Sequence, residues 1–109
     1  MLVISAAEIR KIFTMADAIE SDRDAFAIQS SDGAELPVRI NFNVKENGIT
    51  SFMPALIKGY PQAGIKIVST YPDNAKSGLP AVSATVLLTD PETGVVNALL
   101  DGTELTRMR

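Results

Sequence analysis

The fold class is decided by the stretch Leu36-Pro37-Val38-Arg39-Ile40-Asn41-Phe42-Asn43-Val44, in which every second residue is apolar. A period of two is typical of a strand with one apolar and one polar face. The next four residues, Lys45-Glu46-Asn47-Gly48, contain the Asn-Gly pair that favours a hairpin turn. We therefore expect residues 49–53 to return antiparallel to the first strand, and Pro54 to end that second strand.

Three more strands are predicted towards the C-terminus, at residues 65–71, 81–89 and 95–100. Turn residues separate them, with Gly59-Tyr60-Pro61 before the first and Asp90-Pro91-Glu92-Thr93-Gly94 before the last. Residues 81–89 are apolar on both faces, as in a strand that is covered on both sides. The sequence therefore predicts a mostly antiparallel sheet whose burial extends beyond one small domain.

Helical patterns flank the predicted strands, so the expected fold class is α+β. Ser5-Ala6-Ala7-Glu8 is a capping box, and Thr14-Met15-Ala16-Asp17 is a weaker version of it. The amphipathic helix after Thr14 should end by residues 30–33. Residues 103–109 begin a helical pattern that is too short to stand as a helix. This ending indicates a fragment, or a chain completed by a partner; a frayed natural terminus is the alternative.

The composition is that of one globular domain, and it excludes several kinds of site. The 109 residues are 46% hydrophobic and 21% charged. The net charge is −3 and the basic residues are scattered, so we expect no nucleic-acid partner. Cysteine and histidine are absent, which excludes disulfides, thiolate metal sites and Ser-His-Asp catalysis. No apolar run is long enough for a signal peptide or a membrane span, so we expect a cytoplasmic location.

Nucleotide-binding motifs give no support for a phosphate site in this chain. The spacing Gly59-x4-Gly64-Ile65-Lys66 resembles a P-loop, but Lys does not follow the second Gly directly and the segment reads as a strand. The pattern Gly-x-Gly-x-x-Gly does not occur, so the chain has no dinucleotide fingerprint of its own.

Three cations are the candidate functional residues. Arg39 and Lys66 each lie between apolar strand residues, and Arg109 lies on the last predicted helical turn. A charge among apolar strand residues is seldom buried unless it is paired. Either Arg39 and Lys66 lie on a solvated face of the sheet, or they belong to an anion site. In an anion site Arg offers a planar fork to a carboxylate, and Lys adds a charge that burial can convert to an acid–base group.

Several short strings of this sequence resemble the ornithine cyclodeaminase/mu-crystallin family. They run in family order across nearly the whole chain, and they are specific together although each is weak alone. The strings are LPVR at 36–39, FMPA at 52–55, GIKIVS at 64–69 with PDN at 72–74, GLP at 78–80, DPETG at 90–94, and LLDGTELT at 99–106 followed by Arg109.

The resemblance implies a two-domain, NAD(P)-dependent enzyme in which residues 1–109 are the substrate-binding and dimerisation domain. In this family the sheets of two subunits form a barrel-like core across the dimer, and a Rossmann domain follows. The family reactions are ornithine cyclodeamination, ketimine reduction and amino-acid dehydrogenation by hydride transfer at Cα. The implied partners are an amino- or imino-acid carboxylate substrate and a second copy of the chain. NAD or NADP is expected in the full-length parent, and none bound by this chain alone.

The same resemblance gives each cation a role. Arg39 matches the arginine that binds the substrate carboxylate, and Arg109 matches the arginine that joins the same site. Lys66 matches the lysine that contacts substrate and helps proton transfer, so it is the expected catalytic residue. Because the sequence stops at Arg109, the chain alone is expected to be inert. A stand-alone, non-catalytic binding or oligomerisation module is the alternative, and a third hypothesis treats the cations as surface charge.

Overall fold

Seven strands form one sheet in the computed structural model, which describes residues 1–59 and 62–108. The strands are β1 (Leu2–Ile4), β2 (Ala34–Glu35), β3 (Ile40–Lys45), β4 (Gly48–Ile57), β5 (Gln62–Thr70), β6 (Val82–Thr89) and β7 (Val96–Asp101). Their order in the sheet is β1-β7-β6-β5-β4-β2, and β3 also pairs with β4. The β1–β7 pair is parallel and the other recorded pairs are antiparallel. The predicted mixture of helices with a mostly antiparallel sheet is confirmed.

The helices are α1 (Ala6–Ile12), α2 (Met15–Ser30) and α3 (Gly102–Met108), with a 3-10 helix at Pro72–Ser77. Both predicted capping boxes form at the starts of α1 and α2. At α1, the amide of Ser5 donates to the Glu8 carboxylate at 2.8 Å, and the amide of Glu8 donates to Ser5 Oγ at 3.3 Å. The predicted end of α2 is also confirmed. Within the described residues, no helix is long and apolar enough to cross a membrane.

The predicted hairpin is confirmed, but two strand boundaries next to it are wrong. Residues 36–39 do not belong to a strand and separate β2 from β3. Pro54 does not end β4, which continues to Ile57. Phe52 lies opposite β3 and Leu56 lies opposite β2, so residues 53–55 have no registered partner on that side. A proline is tolerated there because no neighbouring strand needs a hydrogen bond from it.

Other strands differ less from the prediction. β5 begins at Gln62, before the predicted residue 65, and the predicted turn at Gly59-Tyr60-Pro61 falls partly on residues 60 and 61, outside the described part. β6 and β7 each lie within one residue of the predicted limits. β1 was not predicted, because a strand of three residues is too short to show a period of two.

The C-terminal helix corrects a prediction, since residues 102–108 form α3 although the pattern was judged too short. Its first residue, Gly102, is buried, and an added Cβ would lie 2.9 Å from the carbonyl carbon of Ala84 in β6. The amide of Ala84 donates to Thr103 Oγ1 at 2.9 Å. These contacts supply the stabilisation that an isolated seven-residue helix lacks.

The two faces of the sheet differ in what covers them. Directly paired residues of neighbouring strands share a face. We call helix face the side of the sheet that carries α2, because residues of α2 border a groove together with Ala55 and Ile57. In the centre of the sheet, the helix face bears Met53, Lys66, Val86 and Leu100. We call open face the opposite side, which bears Phe52, Ile65, Ile67, Leu87 and Leu99. All five of these open-face side chains remain partly exposed.

The core of the chain by itself is small. Among the described apolar residues only Ile9, Ala18 and Ala84 are buried. Large apolar side chains such as Phe26, Val38 and Phe42 are more than half exposed. A chain of this length is able to bury considerably more apolar surface in one core. Much of its apolar surface is therefore available to further protein.

Candidate functional site

Lys66 lies in the middle of β5, near the centre of the sheet. Its direct neighbours are Met53 on β4 and Val86 on β6. β4, β5 and β6 contain no other charged residue. Lys66 is half-buried on the helix face. Both interpretations of Lys66, an anion site and a solvated face of the sheet, stay predictions.

A groove of about 440 Å³ opens beside Lys66 on the helix face. Small residues create it, because Ala55 and Gly64 face each other across β4 and β5. A Cβ added to Gly64 would lie 2.9 Å from a methyl carbon of Leu88, so a larger residue would fill part of the groove. The lining residues are Met53, Ala55, Ile57, Gln62, Gly64, Ile65, Lys66, Val86 and Leu88.

The lining of this groove is apolar apart from Lys66 and Gln62. The side-chain amide of Gln62 donates to the carbonyl of Thr89 at 3.4 Å, which ties Gln62 to the neighbouring strand. The volume lies within the usual range of small-molecule sites. A lysine beside an apolar groove fits a small anion that carries an apolar body, because the low local dielectric strengthens the attraction between opposite charges.

Arg39 lies in the irregular segment 36–39, directly before β3, and is exposed. Ile40, the next residue, pairs with Phe52, and the residue after Phe52 is Met53, the partner of Lys66. Arg39 therefore lies next to the start of β3, two strands away from Lys66 on β5. At the usual strand spacing, the two backbones are about 10 Å apart. No hydrogen bond or ion pair joins Arg39 to another described residue. Its guanidinium is therefore available to a ligand.

Arg109, the third candidate, lies outside the described residues. The structure describes the helix directly before it, which ends at Met108. The structure thus brings Lys66 and Arg39 to the same part of the sheet, and the joint site of three cations stays a prediction.

Sequence reasoning missed a buried acidic residue, Glu104 in α3. Its carboxylate accepts hydrogen bonds from Arg107 Nη2 at 2.6 Å and from Arg10 Nη1 at 3.2 Å. The hydrogen bond from Arg107 is the largest cause of a lowered Glu104 pKa. The i to i+3 spacing of Glu104 and Arg107 could have indicated their pair. No pattern in the sequence could have indicated Arg10, which is 94 residues away.

The described residues do not fit a metal ion or a dinucleotide. They contain no group of acidic side chains that could hold a metal. A dinucleotide diphosphate normally binds where a glycine-rich turn opens a helix. Here the first-turn amides of Glu8 and Asp17 already donate to the cap hydroxyls of Ser5 and Thr14. The amide of Glu104 likewise donates to the Asp101 carboxylate at 3.0 Å.

Comparisons with known proteins identify relatives of this chain. The sequence profile of the ornithine cyclodeaminase/mu-crystallin family matches residues 1–109. Alanine dehydrogenase of Archaeoglobus fulgidus is 33% identical over 108 residues, which are 99% of this chain and 33% of that protein.

Two solved structures have nearly the same fold over this part of their chains. Δ1-pyrroline-2-carboxylate reductase of Thermococcus litoralis, in complex with NADH and L-proline, is 38% identical with a TM-score of 0.93, over 99% of this chain and 34% of that chain. An archaeal alanine dehydrogenase dimer with bound NAD is 31% identical with a TM-score of 0.91, over 100% of this chain and 33% of that chain. The chain therefore spans about a third of the length of the relatives it matches.

Proposed function

Because the chain belongs to the ornithine cyclodeaminase/mu-crystallin family, we propose that residues 1–109 are the substrate-binding and dimerisation domain of an NAD(P)-dependent enzyme. The substrate class is a small amino acid or cyclic imino acid. The reaction is ornithine cyclodeamination, ketimine reduction or amino-acid dehydrogenation. The observation that carries the proposal is the position of Lys66, the one charge of three central strands, in an apolar groove.

The substrate carboxylate is the group that the three cations would bind. Lys66 reaches it from β5 and Arg39 from the segment before β3, and Arg109 joins them from the residue after α3. Arginine forms two parallel hydrogen bonds to a carboxylate, which fix its plane as well as its position. Binding of the carboxylate from two directions would hold Cα in one orientation, which is the main requirement for hydride transfer at that atom.

Lys66 is also the proposed proton carrier. In reduction, its Nζ ammonium could give a proton to the imine nitrogen of the substrate, and in oxidation the neutral Nζ amine could take a proton from the substrate amine. The nicotinamide cofactor, which the described residues do not hold, would exchange the hydride with Cα. The chemistry thus needs protein groups other than those of this stretch.

The open face supports the proposal of a homodimer with a barrel-like core. β4, β5 and β6 place no charged residue on that face, and Phe42 and Phe52 lie edge to face on it with ring centres 5.9 Å apart. The sequence predicts that β6 is apolar on both sides, but its registered open-face side chains are Ser83, Thr85 and Leu87. The apolar part of the open face therefore comes mainly from β4 and β5, and a second sheet would cover it there. The relative solved with NAD is described as a dimer.

A non-catalytic binding module of the same fold is the second candidate. It rests on the apolar groove beside Lys66, which could take a small carboxylate by itself. It would keep the groove and the cations, and it would bind a small carboxylate without a cofactor.

The test uses the protein as its source cell makes it. Its intact mass comes first, because a species about three times heavier than 11.6 kDa is expected for the enzyme. Oxidation of NADH and NADPH is then followed with Δ1-pyrroline-2-carboxylate, Δ1-piperideine-2-carboxylate, and pyruvate plus ammonia, and ornithine is assayed for ammonia release with NAD. Turnover of at least one substrate supports the proposal. Binding of L-proline without turnover of any substrate would favour the second candidate.

A further inference from the structure

The groove beside Lys66 is longer than the binding of a carboxylate requires. It runs along β5 from Lys66 to Gln62, and four strand residues correspond to about 13 Å between the two backbones. Between these two residues, Ala55 and Gly64 face each other across β4 and β5, and their small size leaves the space open. The volume of about 440 Å³ therefore admits a ligand considerably longer than a carboxylate and its α-carbon.

Apolar surface continues beyond Ala55, towards α2. A second groove of about 320 Å³ lies between α2 and the sheet, and it shares Ala55 and Ile57 with the first groove. Phe26 and Ile28 line this second groove from α2. Ala55 thus lies where the two grooves meet, and its small side chain keeps them connected.

The lining of the first groove suits two different parts of one ligand. Lys66 offers a positive charge that attracts a carboxylate, whereas Ala55 and Leu88 offer carbon surface. A side chain that lies along this carbon surface is removed from water, and each buried methylene group then favours binding. A side chain as short as a methyl group would reach little of that surface.

We propose that Ala55 and Gly64 are specificity-determining residues, and that the groove they keep open takes the apolar side chain of the substrate. The substrate class is then an amino or imino acid whose side chain or ring contains several carbon atoms. Its carboxylate lies at Lys66, and its carbon chain extends towards Gln62. The inference rests on the proposed function, and it narrows the substrate class given there.

The test measures how binding depends on side-chain length in the whole protein. L-alanine, L-2-aminobutyrate, L-norvaline and L-norleucine form a series in which each member adds one methylene group. Isothermal titration gives the dissociation constant of each, with NADH or NADPH bound because a reduced cofactor cannot accept a hydride from an amino acid. We expect the dissociation constant to fall about fourfold per methylene, and about 60-fold over the series. Equal dissociation constants across the series would overturn the inference without any variant.

Ala55→Leu tests whether the side chain lies in this groove. The larger residue fills the space opposite Gly64, so the dissociation constant of L-norleucine should rise at least about tenfold while that of L-alanine stays within about threefold. Ala16→Leu, the same change at an exposed position on α2, is the matched control and should leave the whole series unchanged. Ala55→Val guards against misfolding, because valine adds less volume and suits a strand, and it should give the same pattern with a smaller effect.

Failure of the inference and failure of the proposed function are distinguishable. If Ala55→Leu weakens L-alanine and L-norleucine by the same factor, while the protein still oxidises NADH or NADPH with one of the proposed substrates, the groove does not take the side chain and the proposed function stands. If no amino acid of the series binds and no proposed substrate is turned over, the proposed function fails and the inference fails with it.

Discussion

The helix face and the open face of the sheet are made by the same strands, yet they suit different partners. On β4, β5 and β6, the helix face carries Lys66 beside a groove, whereas the open face carries no charge. A cation beside an apolar groove suits a small anion. A broad uncharged surface of partly exposed apolar side chains suits another protein surface.

Register is what keeps these two functions apart. Adjacent residues of a strand point to opposite faces, so a slip of one residue would exchange the side chains that the two faces carry. Lys66 would then lie on the open face, and Ile65 and Ile67, which flank it in the sequence, would move to the helix face. The hairpin at Glu46 and Asn47 sets the start of β4 and is one device that fixes the register.

The largest expected effect tests the charge on the helix face. Lys66→Met keeps the length of the side chain and removes the ammonium, so both carboxylate binding and proton transfer are lost. We expect kcat/KM to fall about 1000-fold, since a charged hydrogen bond contributes about 1.5–3 kcal/mol and a positioned acid or base at least about 100-fold in rate. Lys76→Met on the exposed 3-10 helix is the control and should stay within about threefold. Equal effects would show that Lys66 is only a surface charge.

The next test places a charge on the open face. Ile67→Lys puts an ammonium opposite Phe52 and Thr85, and burying it unpaired against a second copy costs several kcal/mol. We expect the dimer dissociation constant, measured by analytical ultracentrifugation, to rise at least about 100-fold. Ile19→Lys on the exposed side of α2 is the control. An unchanged dimer would mean that the open face is not the interface.

Arg39 tests how far the anion site extends beyond Lys66. Arg39→Met should raise KM about 10- to 100-fold and leave kcat within about threefold, because the carboxylate contact is present before and during the reaction. Arg39→Lys should recover part of the loss, since it restores the charge without the planar fork. Arg23→Met, at an exposed position on α2, is the control. Steady-state kinetics that show no KM change would restrict the site to the other cations.

Gly102 tests the attachment of α3 at the edge of the helix face. Gly102→Ala would bring a Cβ within 3.0 Å of three backbone atoms of Ala84 and Thr85, which cannot move as a side chain can. We expect a loss of about 1–3 kcal/mol in the free energy of unfolding, measured by urea titration. Gly94→Asn is the control, because its φ of 74° suits Asn and no atom lies within 4 Å. A neutral Gly102→Ala would show that α3 moves freely away from β6.

The smallest effect concerns acid stability. The hydrogen bond from Arg107 lowers the Glu104 pKa below its ordinary value of 4.5. A carboxyl group whose pKa is lower in the folded state than in the unfolded state stabilises the fold fully at a pH above its unfolded-state pKa. This stabilisation is lost as the pH falls through the folded-state pKa. The Tm difference between the parent and Glu104→Gln should therefore shrink as pH drops below 4.5. A difference that grew on acidification would contradict the lowered pKa.

Local patterns in the sequence predicted most of the elements. The capping boxes at Ser5 and Thr14, the end of α2 and the hairpin before β4 each depend on residues within a few positions of one another, and all are confirmed. The irregular segment 36–39 was missed because its alternation continues into β3, although no partner strand is registered opposite it. The sequence pattern thus predicts the alternation of apolar residues correctly, but it does not show which of these residues have a partner strand.

The sequence by itself determined the helix caps, the turns, the alternation of the strands and the family, because these depend on neighbouring residues or on short strings. The tertiary structure decided that Pro54 lies within β4, that α3 forms, that Lys66 lies beside a groove and that Glu104 is buried against Arg10. Each of these features depends on groups that are far apart in the chain. Which of these groups are buried, and which hydrogen-bond or ion-pair partners they meet, depends on how the strands and helices pack.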